Sequence, residues 1–181
     1  IDFYLNKFNA FEIDYRSGYI DFVEYCSFLL YPLIGMDVDD LDELVSEFIE
    51  THKEKLIDPM TFDLLERHIN EFRLVASGSL DFIVKGFTNY FKLDAYLGSS
   101  YEVIDNKITG KLKKAAFAHG KLEKVREWCQ KNSYIVEESF FYTDSINDLP
   151  LIKVCPRSII ISPDKKLEQY ALKNNIEILT R

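Results

Sequence analysis

Over the first seventy residues the apolar positions recur at helical spacing. Tyr4, Phe8, Phe11 and Tyr15 follow one another at intervals of 4, 3 and 4, which places them on one face of a helix. Arg16-Ser17-Gly18 interrupts that stripe, and residues 20–30 resume it before Pro32 and Gly35 end it. Leu41, Leu44, Val45, Phe48 and Ile49 form a second stripe with carboxylates on the opposite side. Asp58-Pro59 opens a further helix through Leu64, Leu65 and Ile69, since an aspartate can cap and a proline fits a first turn. The aromatic abundance of this region is most simply its own core.

After Phe72 the pattern changes. Residues 73–77 (RLVAS) are a short apolar run that ends at small polar residues, and 80–91 again reads as helix. Asp105-Asn106-Lys107 sits between β-type residues over 96–112, as in a hairpin. Leu122, Val125 and Cys129 mark a helix, 139–143 a strand and 146–153 a short helix. Residues 158–161, 165–174 and 176–179 then read as strand, helix and strand. Strands alternating with helices predict an α/β core around a parallel sheet covered on both faces. The expected organisation is a helical module over 1–70 and an α/β core over 71–181. No flexible linker separates them near 56–72, so the module is expected to pack on the core.

Composition narrows the class. A 181-residue chain with 47% hydrophobic residues can bury a sizeable core. A formal charge of -8 argues against nucleic-acid binding. The densest basic group, Lys111, Lys113 and Lys114, reads as a solvated turn. The longest apolar run, near 28–36, is broken by Pro32 and Gly35, so no segment predicts a membrane span. Three widely spaced cysteines without a C-x-x-C pattern fit buried thiols in a reducing compartment, and a cytoplasmic protein is expected. The chain starts without methionine, with the apolar periodicity already running at Ile1, which raises the expectation of a natural protein with further residues ahead.

The candidate chemistry lies at two predicted strand ends, where open α/β sheets bind ligands. Ser77-Gly78-Ser79 precedes a helix, and free N–H groups with hydroxyls there suit a phosphate. Taken alone, such a stretch is more often an ordinary turn. Asp144 and Asp148, in the stretch FYTDSINDLP, suit a hard cation such as Mg²⁺, with a pair of carboxylates at a helix start as the alternative. Lys121 follows His119-Gly120 at another helix start, where an ammonium could pair with a phosphate; His119 itself reads as solvent-facing. His52 and His68 have no partner ligands at metal spacing and read as structural. Arg16 reads as a solvated loop arginine, with reach toward a substrate anion as the alternative.

Ser77 after a strand, Gly120-Lys121 opening a helix, and Asp144-Ser-Ile-Asn-Asp148-Leu-Pro resemble motifs II, III and IV of the haloacid dehalogenase superfamily. The closest resemblance is to its phosphoserine-phosphatase-like subfamily IB, whose closing segment is similar to SPDKKLEQYALKNNIEIL at 162–179. The helical module stands where that group inserts its cap. The resemblance implies a Rossmann-like core and a Mg²⁺-dependent phosphatase for a small phosphorylated metabolite. It implies that Asp144 binds Mg²⁺ and Asp148 supports the metal and its waters. Ser77 and the Gly78 amide would hold the phosphoryl group, Lys121 would neutralise it, and Asn147 would bond the phosphate or the metal shell. One departure stands out. The family's first strand, which ends in D-x-D and supplies the nucleophile, has no counterpart here. Asp37-Val38-Asp39 has the letters but no strand leads into it, so it reads as a helix start. Without that strand the family sheet would be split, and the nucleophilic aspartate is expected upstream of residue 1. The chain alone is then expected to be inactive. The alternative is a degenerate or truncated domain that binds a phosphorylated ligand or a partner without turnover.

Overall fold

The computed structural model describes residues 2–17 and 19–180. Four helices come first: α1 (Asp2–Ser17), α2 (Phe22–Leu30), α3 (Val38–Leu56) and α4 (Met60–Arg67). Asp21 starts α2, its Oδ1 accepting from the N–H groups of Val23 and Glu24 at 3.1 and 2.9 Å. Asp58 does the same for α4, accepting from Met60 N at 2.9 Å. The Asp37-Val38-Asp39 stretch is indeed a helix start, with Asp39 and Asp40 in the first turn of α3, where they complement the positive end of the helix. No helix among the described residues is long and apolar enough to cross a membrane.

The stripes of the helical module are only half used. Phe11 is buried, packed edge-on against Tyr25 and tilted against Phe28 of α2, whereas Tyr4, Phe8 and Tyr15 are exposed. In α3, Leu41 and Ile49 are buried while Leu44 and Phe48 stay half exposed. Each helix therefore rests on its neighbour along a line narrower than its apolar face. The aromatics of α1 and α2 do pack on one another, but the buried residues of the module are not a core apart from the rest. Cys26, Leu30 and Leu41 instead share one cluster with Leu80, Phe82 and Ile108 of the core.

The core runs β1 (Leu74–Leu80), α5 (Asp81–Phe91), β2 (Ala95–Ile104), β3 (Lys107–Lys114) and α6 (His119–Asn132). It continues with β4 (Phe140–Thr143), α7 (Leu149–Ile152), β5 (Arg157–Ile161), α8 (Lys165–Lys173) and β6 (Glu177–Leu179). The β2–β3 hairpin turns on Asp105 and Asn106, both left-handed at φ 50° and 62°, the twist a two-residue hairpin turn requires. Lys111 and Lys114 lie in β3 rather than in a solvated turn, 3.7 Å from Glu102 and 2.6 Å from Glu127. The module docks on this hairpin: Lys107 Nζ meets Asp37 Oδ2 at 2.9 Å, and Asn106 Nδ2 donates to Asp39 Oδ2 at 3.0 Å.

The strands form two sheets, β1-β2-β3 and β4-β5-β6. β1 pairs parallel to β2, and β4, β5 and β6 are parallel throughout, giving the α/β architecture expected. β1 and β4 each lack a second partner among the described strands. Cavities lie along both: one touches Leu74, Val75 and Phe140, the other runs from Ala76 to Leu80 and on to Thr143. Below this gap, α6 and α7 bridge the halves through a cluster of Val125, Cys129, Leu151 and Cys155 that touches Ala76, Leu97 and Phe141.

Candidate active site

The larger polar cavity, about 510 Å³, opens at the carboxyl ends of β1 and β4. It brings together every site residue read from the sequence: Ser77, Gly78, Lys121, Asp144, Asn147 and Asp148. β1 carries on to Leu80, beyond the run over 73–77, with an irregular register between Ala76 and Leu80. Ser77, Gly78 and Ser79 sit in that irregularity. Ser79 N donates to Ser77 Oγ at 3.2 Å, and Ser99 Oγ donates to the Gly78 carbonyl at 2.7 Å while accepting from Ala116 N at 3.0 Å. Gly98 allows this close approach: a Cβ there would stand 2.9 Å from Asp81 Cα and from the Ser79 carbonyl.

Lys121 is the third residue of α6, after a strained turn. Ala118 holds φ 48° and ψ -118°, a conformation costly for a residue with a Cβ. Such strain persists only where the surrounding structure enforces it. Lys121 is buried, 8% exposed, and its Nζ lies 2.5 Å from Asp148 Oδ1. The contact is an ion pair without hydrogen-bond alignment, since Asp148 Oδ1 has no hydrogen-bond partner. Asp148 Oδ2 accepts from Thr143 Oγ1 at 2.7 Å, Thr143 Oγ1 accepts from Ser145 N at 3.1 Å, and Ser145 Oγ accepts from Asn147 N at 3.3 Å. The two aspartates of the stretch therefore sit at different depths. Asp144 is exposed at the mouth, and Asp148 lies beneath it, engaged with Lys121 and Thr143.

The histidines do not line this cavity. His52 Nδ1 donates to the Phe48 carbonyl at 3.0 Å, and His68 lies between Glu71 Oε2 and Tyr142 Oη, 2.8 Å from each. His119 is exposed. The side chain of Arg16 lies outside the described residues. Cys26, Cys129 and Cys155 are buried thiols; burial pushes Cys26 and Cys155 up to about 11. Residues not singled out by sequence also line the cavity: Thr143, Phe117, and Glu12, Tyr15 and Phe22 from the helical module. Their sequence context resembles any strand end, loop or amphipathic helix, so no signal marked them.

For a divalent cation the donors fit in kind. Among the described residues no three of His, Cys, Asp and Glu converge on one point. The wall around Asp144 does present oxygen donors, with Ser145, Asn147 and Asp148 beside it. Mg²⁺ commonly takes one or two protein carboxylates and completes its shell with water and substrate phosphate.

The similarities to known proteins follow the same lines. A histidinol-phosphatase of Neisseria meningitidis serogroup C is 27% identical over 173 residues, covering 92% of this chain and 78% of that one. The solved structure of a protein of unknown function from Bordetella pertussis Tohama I superposes with a TM-score of 0.86 at 20% identity, covering 96% of this chain and 81% of the other. A probable phosphoserine phosphatase from Vibrio cholerae gives a TM-score of 0.63 at 16% identity, over 89% of this chain and 49% of its own. At such identities the structural likeness is one of fold. A model of the haloacid dehalogenase-like hydrolase family matches residues 8–153, and the chain belongs to that family.

Proposed function

We propose that the natural protein is a Mg²⁺-dependent phosphomonoesterase in which a phosphoryl group passes first to an aspartate and then to water. The observation that carries this reading is the gap between β1 and β4, which ends in a cavity walled by Ser77, Lys121, Asp144, Asn147 and Asp148. A parallel strand from a segment ahead of residue 1 would bond to both free edges and bring its carboxyl end to that wall. An aspartate at this end would attack phosphorus, the ester P–O bond would break, and the departing alcohol would take a proton from a second acid on the same strand. Water would then hydrolyse the aspartyl-phosphate. Lys121, held by Asp148, would neutralise the phosphoryl oxygens, while the Ser77 hydroxyl and Gly78 N–H bind them. Asp144 would hold the metal with Asp148 behind it, and Asn147 would donate to the phosphate or to the metal's waters. Bound Mg²⁺ would supply charge neutralisation at the phosphoryl oxygens.

Residues 1–70 act in this reading as a cap that excludes bulk water over the 71–181 core. The substrate is a small phosphorylated metabolite, a class supported by the likeness to a histidinol-phosphatase. The three buried free thiols support a cytoplasmic setting. The 181 residues by themselves are expected to bind phosphate without turnover. The test is Asp144→Asn in the full natural protein: Mg²⁺-dependent hydrolysis should fall by a factor of roughly 100 or more. Retained turnover would remove Asp144 from the site. The second reading is a non-catalytic domain that binds a phosphorylated ligand or partner, for which the buried Lys121–Asp148 pair would serve as a phosphate-binding wall without turnover. An upstream coding sequence without D-x-D would decide for it.

A further inference from the structure

At 0% exposure Ser99 is the most deeply buried polar residue among those described, and it is not one of the groups that hold phosphate in the reading above. Its hydroxyl works in both directions. It donates to the Gly78 carbonyl at 2.7 Å and accepts from Ala116 N at 3.0 Å. The first bond reaches the end of β1, and the second reaches the turn that leads through Ala118 to Lys121. β2 is fixed beside it from two more sides. Gly98 gives its N–H to Asp81 Oδ1 at 2.8 Å, and its carbonyl accepts from Lys124 Nζ of α6.

Both bonds of Ser99 bear on the phosphoryl end. The Gly78 carbonyl and the Ser79 N–H share one planar peptide and point opposite ways. Holding the carbonyl therefore aims that N–H at Ser77 Oγ, which accepts it at 3.2 Å. Ser77 then keeps its own O–H to give to a phosphoryl oxygen. On the other arm, Ala116 N is pinned two residues before Ala118, whose φ of 48° has to be enforced by its surroundings. Lys121 N bonds back to the Ala118 carbonyl at 3.2 Å, so the strained turn sets where the lysine begins. We propose that Ser99 is a positioning residue that keeps the Ser77 hydroxyl and the Lys121 ammonium in register with each other, acting through them and not on the substrate. The proposal rests on the phosphomonoester reading and adds to it the group that aligns its two sides.

Ser158 supplies a matched control. It is likewise buried, and its hydroxyl donates to a backbone carbonyl, that of Cys155, at the same 2.7 Å, but it does not line the cavity. The test measures hydrolysis of 4-nitrophenyl phosphate and calorimetric binding of inorganic phosphate, both with Mg²⁺, in the full natural protein. Ser99→Ala should lower kcat about ten- to thirtyfold and weaken phosphate binding about three- to fivefold, because alignment counts most in the transition state. Ser158→Ala should leave both within about twofold of the parent at a similar loss of urea midpoint. Ser99→Thr keeps the hydroxyl and should stay within about threefold of the parent. Should Ser99→Ala fail to fold, Ser99→Cys, near the same volume with a weak donor, takes its place. Equal effects of the Ser99 and Ser158 changes, or a folded Ser99→Thr as slow as Ser99→Ala, would overturn the proposal, and the phosphomonoester reading would stand if the parent turns over. If the parent binds phosphate without turnover, the binding comparison decides alone. If it does neither, the phosphomonoester reading falls and the proposal falls with it.

Discussion

Lys121, Asp148 and Thr143 form the most demanding contact in the molecule. The lysine and aspartate side chains are 11% and 7% exposed, so each charge depends on the other for compensation. Replacing Lys121 by Met would leave the Asp148 carboxylate buried with only the Thr143 hydroxyl, a loss of about 3–5 kcal/mol in urea unfolding. Adding Asp148→Leu to that variant should recover most of the loss, because a buried pair can be replaced by apolar groups at little cost. Equal stability of the single and double variants would show that the pairing does not carry this energy. Both charged partners could be read from the sequence, because an ordered set of small polar, basic and acidic residues at strand ends is informative. Thr143 could not, since a threonine closing a strand looks like any β-branched residue.

Between elements, the tightest approach is α3 on α5. A Cβ at Gly86 would come within 2.4 Å of Val45 Cγ1 and 3.1 Å of Ile49 Cδ1, neither on a long flexible chain. Gly86→Ala should therefore destabilise by about 1–3 kcal/mol despite the better helix propensity of alanine, measured as a lower urea midpoint. An unchanged midpoint would mean that α3 can move away freely. At this scale the sequence was legible wherever the local chemistry is self-contained. The Asp105-Asn106 hairpin turn, the Asp58 start of α4 and the apolar run of β5 all match their patterns. Where neighbours decide, it was not. The segment over 146–153 reads as one helix, yet a 3-10 turn at Ile146–Asp148 precedes α7, and Pro150 takes its place in the first turn of the new helix. The Leu44 and Phe48 positions of α3 fit the periodicity equally well, and only the width of the contact with α5 leaves them exposed.

For the whole molecule, the decisive feature is that the strands form two three-stranded sheets, the split expected of the family sheet without its first strand. The reason was visible in advance, because no strand ending in D-x-D occurs in the chain. Hydrogen exchange gives a direct check. β5 is bonded on both sides and its residues 158–161 are buried, so its amides should be protected at least about tenfold better than those of β1 and β4. Equal protection across the three strands would mean that the gap is closed in solution. The helices beneath the gap have a mechanical consequence as well. Along each strand, and between β4 and β6, the molecule is braced by ladders of backbone bonds. Between β1 and β4 no backbone ladder runs among the described strands, and the halves meet only through side chains, around Cys129 and Leu151 and at the His68–Tyr142 and Lys121–Asp148 contacts. That direction is the soft axis of the molecule, and thermal energy should open and close it like a book whose spine is the pair α6 and α7.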